Sequence, residues 1–120
     1  MDKHGGIVFY QTRELARLHN FYVNKVGAIL WLDQGGCRIY RFANMLFGFC
    51  QREENETGAL LTFFYPTRQM VDDIYRKLED VAEAPPRDNP EYRIYHFYAR
   101  DPDNRLIEFQ YFWDETKEIK

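Results

Sequence analysis

Glu108 is the side chain of this sequence that most needs a chemical explanation. It lies in the run RLIEFQY, residues 105–111, which has the composition of a β-strand. A carboxylate among apolar strand residues costs stability unless a partner compensates its charge. Glu108 is therefore a candidate metal ligand, a candidate catalytic base, or a pocket residue that pairs with a neighbour. The neighbours considered for the third interpretation are Arg41, Tyr98 and His96.

His96 is the second candidate, in the run YRIYHFYAR, residues 92–100. An imidazole in a strand acts as acid, base or metal ligand, or is a buried side chain satisfied by a neighbour. The segment DPDN, residues 101–104, joins the two runs and suits a type I turn, followed by an Asn with positive φ. The two runs therefore form a predicted hairpin that carries both His96 and Glu108.

The rest of the chain is one pattern written twice. A helix capped by Thr12 and stopped at Gly27 is expected after a first strand, and Thr67 caps a second helix. The second helix presents an apolar face of Met70, Val71, Ile74 and Leu78. The predicted strands of the first module are 6–11, 28–33, 37–42 and 45–51, and those of the second are 59–65, a short one from Val81, 92–100 and 105–112. The proline-rich segment 83–91 is predicted to be a loop.

These elements predict an α+β fold of two βαβββ modules, residues 6–52 and 58–113, within a single domain of residues 1–120. The 16 Lys and Arg residues form no basic run and the net charge is −3, which argues against a nucleic acid partner. The start, MDKHGG, lacks an apolar segment, and no apolar run is long enough to span a bilayer, so a cytoplasmic protein without membrane association is expected.

The two cysteines, Cys37 and Cys50, lack the spacing of a zinc site. Reduced thiols are the default expectation in the cytoplasm. If Ala43 and Asn44 form a two-residue turn, however, the cysteines lie opposite each other on neighbouring strands, and a disulfide is the alternative.

Two segments carry a resemblance to a known family: LHNFYVNKVGAILW, residues 18–31, and FYARDPDNRLIEF, residues 97–109. The first resembles the helix-to-strand signature of the vicinal oxygen chelate superfamily, and the second resembles its closing hairpin. This superfamily includes glyoxalase I, extradiol dioxygenases, fosfomycin-resistance transferases and bleomycin-binding proteins. The resemblance covers about residues 6–112. It implies that the two modules curl into a mixed sheet around a shared cup, usually completed in a homodimer.

The resemblance also implies where metal-dependent members carry their ligands, on the first and last strands of each module. Those positions are occupied here by Ile7, Gly48, Leu61 and Glu108. A single carboxylate does not make a specific divalent site. No cofactor is therefore expected, and a divalent metal is disfavoured.

Strand alternation predicts one apolar, helix-covered face and one mixed face, and the mixed face is typical of a ligand pocket. The predicted lining residues are Phe9, Gln11, Arg41, Tyr65, His96, Tyr98 and Glu108. The predicted function is metal-independent binding of an aromatic or amphipathic small molecule by a homodimer of the glyoxalase/bleomycin-resistance type. The alternative is a lyase, transferase or dioxygenase that uses Glu108, with or without a divalent metal, and the candidate catalytic residues are Glu108 and His96.

Overall fold

The structure is a computed structural model that describes residues 5–118. The chain divides into two compact units, with the boundary between Thr57 and Gly58. The strands of the first unit are β1 (Ile7–Thr12), β2 (Ile29–Asp33), β3 (Cys37–Phe42) and β4 (Met45–Gln51). The strands of the second are β5 (Leu61–Phe64), β6 (Arg87–Asn89), β7 (Ile94–Arg100) and β8 (Leu106–Phe112).

Each unit is a mixed four-stranded sheet with one helical segment after its first strand. The strand orders are β1-β4-β3-β2 and β5-β8-β7-β6. In each sheet the first strand pairs in parallel with the last, and the remaining pairs are antiparallel. The predicted α+β fold of two βαβββ modules is confirmed.

The first helical segment begins later than predicted. Helix α1 (Leu15–His19) continues as a π-helix (Asn20–Val26) and stops at Gly27, which adopts the left-handed conformation with φ 92° as predicted. Thr12 is not its N-cap; it ends β1, and its hydroxyl accepts a hydrogen bond from the N–H of Glu14 instead.

The core of the first unit is aromatic. Tyr22, from the π-helix, lies 5.3 Å from the ring of Phe47 and 5.3 Å from the ring of Phe49. Tyr40 on β3 contacts the same two rings, at centroid distances of 5.8 Å and 6.3 Å. All four side chains are buried, so this face of the first sheet is the helix-covered one.

The second helix, α2 (Arg68–Leu78), begins as predicted, because the Thr67 hydroxyl accepts a hydrogen bond from the N–H of Met70. Three of the four residues of its predicted apolar face, Val71, Ile74 and Leu78, are buried. Met70 is 44 % exposed, so its assignment to that face is wrong.

The region between α2 and β7 departs from the prediction. The predicted strand from Val81 is reduced to a bridge between Ala82 and Ala99. The segment predicted to be a loop contains β6 instead, which pairs with β7. Two prolines precede β6 and one follows it, so the strand occupies only the three residues between them, which keep their backbone donors. No helix among residues 5–118 is long and apolar enough to cross a membrane.

Cys37 and Cys50 are joined by a disulfide between the register-paired positions of β3 and β4. The two-residue turn at Ala43 and Asn44 places them opposite each other, because Phe42 pairs with Met45. The default expectation of reduced thiols is therefore wrong, and the alternative of a disulfide is confirmed.

Replacing both cysteines with serine is expected to lower the free energy of unfolding by about 2–3 kcal/mol, because a cross-link over this short loop limits the unfolded chain. The bond joins residues 13 positions apart in the sequence. Chemical denaturation of the variant and of the unmodified protein, each with and without reductant, measures the effect. Reductant should destabilise the unmodified protein alone. Uptake of two alkyl groups by the aerobically purified, unreduced protein would contradict the bond.

Candidate functional site

The hairpin of β7 and β8 positions the candidate residues. Asp101 organises its turn: the carboxylate oxygen Oδ1 accepts hydrogen bonds from the N–H groups of Asp103 and Arg105, each at 2.9 Å. The N–H of Asn104 donates to the Asp101 carbonyl at 2.8 Å, and Asn104 has φ 63°. This is the predicted turn geometry, and the register that it sets places Tyr98 opposite Glu108 and His96 opposite Gln110.

Glu108 is buried and its two carboxylate oxygens have different partners. Oε2 lies 2.7 Å from Nδ1 of His96, and Oε1 accepts a hydrogen bond of 2.9 Å from the hydroxyl of Thr62. His96 and Glu108 are 5 % and 7 % exposed, so their contact is shielded from water. Among the neighbours considered from the sequence, His96 is the one that pairs with Glu108 within the second unit.

The sequence did not indicate Thr62 as a site residue, because strand alternation places it on the face of β5 opposite Glu108. The structure pairs Thr62 with Glu108 across β5 and β8. Phe63 stacks on Phe109 at 5.3 Å, and Tyr65 stacks on the same ring at 6.5 Å, on the helix-covered face. The predicted placement of Leu61 and Tyr65 on the face of Glu108 is therefore wrong. The structure places Tyr65 away from the other residues predicted to line the pocket in this unit.

Tyr98 completes the site next to His96. The two rings are 5.1 Å apart and nearly perpendicular, at 72°. Burial and then the negative charge of Glu108 raise the pKa of the Tyr98 hydroxyl, while the positive charge of Arg87 opposes the shift. The hydroxyl therefore stays protonated at neutral pH. We call Thr62, His96, Tyr98, Glu108 and Gln110 the polar cluster of the second sheet.

The remaining predicted residues lie in the first unit. Phe9 pairs in register with Gly48, and its ring covers this glycine so closely that an added Cβ would lie 2.7 Å from a ring carbon. Gln11 is exposed and pairs with Cys50. Arg41 is also exposed and pairs with Leu46. The register therefore places these three side chains on the face opposite the aromatic core of the first sheet, as predicted.

The positions that the resemblance implied for metal ligands are partly kept by the observed register. Ile7 lies on the same face of the first sheet as Gly48, whereas Thr62 rather than Leu61 pairs with Glu108 and shares its face. Neither Ile7 nor Gly48 supplies a donor side chain. Among residues 5–118, no group of three or more His, Cys, Asp or Glu side chains is placed to hold a metal ion.

Arg105 is a buried charge that the sequence did not bring to attention. Its side chain is 0 % exposed and forms ion pairs with Asp101 at 2.5 Å and Asp103 at 3.5 Å. The sequence feature that could have indicated this burial is the pair of aspartates, two and four residues before the arginine, in a tight turn. These residues do not face a ligand; they fix the turn that sets the register of His96 and Glu108.

Comparison with solved structures finds the same fold at low sequence identity. A glyoxalase/bleomycin resistance protein/dioxygenase from Nocardioides superposes with a TM-score of 0.72 at 15 % identity, covering 100 % of this chain and 90 % of that one. A lactoylglutathione lyase from Agrobacterium tumefaciens gives 0.71 at 15 % identity, with 88 % and 90 % covered. A fosfomycin resistance protein from Listeria monocytogenes gives 0.74 at 16 % identity, with 92 % and 94 % covered.

Sequence comparison adds no closer relative: no protein-family model and no curated protein matches the chain. The structural similarity extends over nearly the full length of each of the three proteins. It therefore covers both modules rather than one shared motif. The chain has the fold of the glyoxalase/bleomycin resistance/dioxygenase proteins.

Proposed function

We propose that the protein binds a small aromatic or amphipathic molecule at the polar cluster of the second sheet, without a metal ion. The observation that carries this proposal is the buried array of Thr62, Glu108 and His96 beside Tyr98. Buried polar groups cost stability compared with apolar side chains, and such an array in a sheet is typical of a binding site. Tyr98 supplies an aromatic surface next to it.

Metal independence is supported by the partners of Glu108. Both of its oxygens already accept hydrogen bonds from side chains of the same sheet. A metal ion would have to replace at least one of these bonds. The small-molecule ligand is thus held by hydrogen bonds and ring contacts alone.

The test uses protein dialysed against a chelator and a panel of small neutral aromatic compounds, followed by NMR. We expect amide shifts concentrated at Tyr98 and Gln110, and the same affinities after addition of Zn²⁺ or Mn²⁺. Tyr98→Ala should weaken binding about fivefold, because an aromatic contact is worth about 1 kcal/mol. Tyr92→Ala is the matched control, since Tyr92 is 69 % exposed before β7. Binding that appears only with the metal would contradict the proposal.

An enzyme is the second candidate, and the pairing of His96 with Glu108 is the observation that favours it. A carboxylate on one ring nitrogen orients an imidazole so that the other nitrogen can transfer a proton. The alternative is thus a lyase, transferase or dioxygenase that uses this pair, with or without a divalent metal. Loss of turnover in Glu108→Gln with retained ligand binding would favour the enzyme. Near-stoichiometric metal bound through Glu108 would favour a metal-dependent reaction.

We also propose a homodimer in the cytoplasm. The dimer is supported by the edge strand β2, whose apolar side chains Ile29, Leu30, Trp31 and Leu32 are 37–57 % exposed. Light scattering measures the mass in solution.

The cytoplasm is a reducing compartment that works against the disulfide. Alkylation of thiols in rapidly quenched cells therefore tests that location: two alkylated cysteines would support the cytoplasm, and an intact disulfide would contradict it.

A further inference from the structure

The ring of His96 has one nitrogen that is bonded and one that is not. Nδ1 faces Oε2 of Glu108 at 2.7 Å. Within residues 5–118 the structure gives Nε2 no hydrogen-bond partner. The residue is 5 % exposed, and Nε2 is not among the unpartnered polar atoms that are completely buried in this part of the chain, so it still reaches solvent. Nε2 is therefore the atom of this cluster that is available to a ligand.

The partners of Glu108 decide which ring nitrogen carries the proton. An ionised carboxylate accepts hydrogen bonds and donates none. The Thr62 hydroxyl already donates to the other oxygen of this carboxylate, Oε1. Nδ1 must then be the donor in the contact with Oε2. In a neutral imidazole the other nitrogen carries a lone pair, so Nε2 is an acceptor.

The charge of the cluster selects against anionic ligands. Glu108 places a buried negative charge one ring away from Nε2, and like charges in a shielded site repel strongly. Arg87, opposite His96 on β6, is exposed, so water screens its charge. The ligand group next to Nε2 is therefore a hydrogen-bond donor and not a carboxylate or phosphate.

The surroundings of Nε2 favour a planar ligand. The Tyr98 ring borders the imidazole. On the same face, Phe64 is 42 % exposed and packs edge-on against Phe112 at 5.5 Å. Flat aromatic surfaces on strands of one sheet bind planar molecules through ring contacts.

We propose that His96 binds the ligand through Nε2 as a hydrogen-bond acceptor, that Glu108 is the positioning residue that holds the Nδ1–H tautomer, and that the ligand is a planar molecule without negative charge that has an O–H or N–H donor. This inference rests on the proposed function, because it names the ligand class of the same site. Ligand and protein exchange no atoms in this step: the ligand's hydrogen stays on its own oxygen or nitrogen.

The tautomer is measured on the unmodified full-length protein labelled with ¹⁵N-histidine, with His96→Gln used to assign the signals. At neutral pH we expect the nitrogen shifts of His96 to show a protonated Nδ1 and an unprotonated Nε2. In Glu108→Gln the amide can donate to Nδ1, so a form with Nε2–H should appear. A protonated Nε2 in the unmodified protein, as the other tautomer or as imidazolium, would overturn the inference.

The ligand class is tested with 4-methylphenol and 4-fluorotoluene, which are nearly equal in size but of which only the first has a hydrogen-bond donor, and with 4-methylaniline as a second donor. We expect the two donors to shift the Nε2 signal and to bind about fivefold more tightly than the fluoro compound, because only they can donate a hydrogen bond to Nε2 and such a bond is worth about 1 kcal/mol. Equal affinities would overturn this inference while leaving the proposed function intact. If none of the three compounds bound, the proposed function would fail together with the inference.

Discussion

Replacing Arg105 with methionine is expected to lower the free energy of unfolding by about 3–5 kcal/mol, because it leaves buried carboxylates without their cation. The guanidinium is fully buried and is paired with Asp101 and Asp103. Methionine fills a similar volume, so the loss measures the charge rather than a cavity. Urea denaturation followed by circular dichroism provides the measurement.

The matched control is Arg100→Met in the same hairpin. Arg100 pairs with Glu83, and the two side chains are 42 % and 44 % exposed. Exposed ion pairs contribute about 0–1 kcal/mol, so the control should stay within that range. A loss below about 1 kcal/mol in Arg105→Met would show that the turn holds without the ion pairs. It would also remove our explanation of how the register of His96 and Glu108 is fixed.

The elements with strong local signals were predictable from the sequence. The bounds of β3 and β4, the Thr67 cap, the stop at Gly27 and the turn from Asp101 all follow the prediction. Each depends on residues that act within a few positions of one another. The repeated order of elements then leaves few ways to assemble a βαβββ module, which is why the fold class could be predicted as well.

The face of β5 could not be predicted, because its sequence lacks the contrast on which alternation depends. In ALLTFFY, residues 59–65, apolar residues occupy both faces. A shift of one residue therefore changes which face is buried without changing the apparent amphipathicity. The assignment is decided instead by packing, where Phe63 stacks on Phe109 and Thr62 reaches Glu108.

The contacts of the buried polar residues were the other feature that could not be predicted from the sequence. The sequence indicated that Glu108 needs a partner, but the partner depends on strand register. The contact with His96 needs β7 and β8 aligned, and that with Thr62 needs β5 placed in parallel beside β8. Arg105 follows a turn of polar residues, where side chains are usually exposed. Its burial is a property of the folded hairpin rather than of its neighbours in sequence.

Glu108→Leu is expected to lower the free energy of unfolding by about 3 kcal/mol or more, because it leaves the His96 N–H and the Thr62 hydroxyl buried without an acceptor. Thr62→Val alone should cost about 1 kcal/mol, since it removes one neutral hydroxyl from the array. The decisive variant is the triple Thr62→Val, His96→Phe, Glu108→Leu. It replaces the whole array with apolar side chains of similar volume, and no unpaired group is left.

We expect the triple variant to recover the stability of the unmodified protein to within about 1 kcal/mol, or to exceed it, because well-packed apolar residues often equal or surpass a buried polar pair. The same variant should bind none of the aromatic compounds. Recovery of stability with loss of binding would mean that the array is maintained for a ligand and not for the fold. If the triple variant were as unstable as Glu108→Leu, the array would be a structural element of the second sheet. The binding site would then have to be sought elsewhere on the molecule.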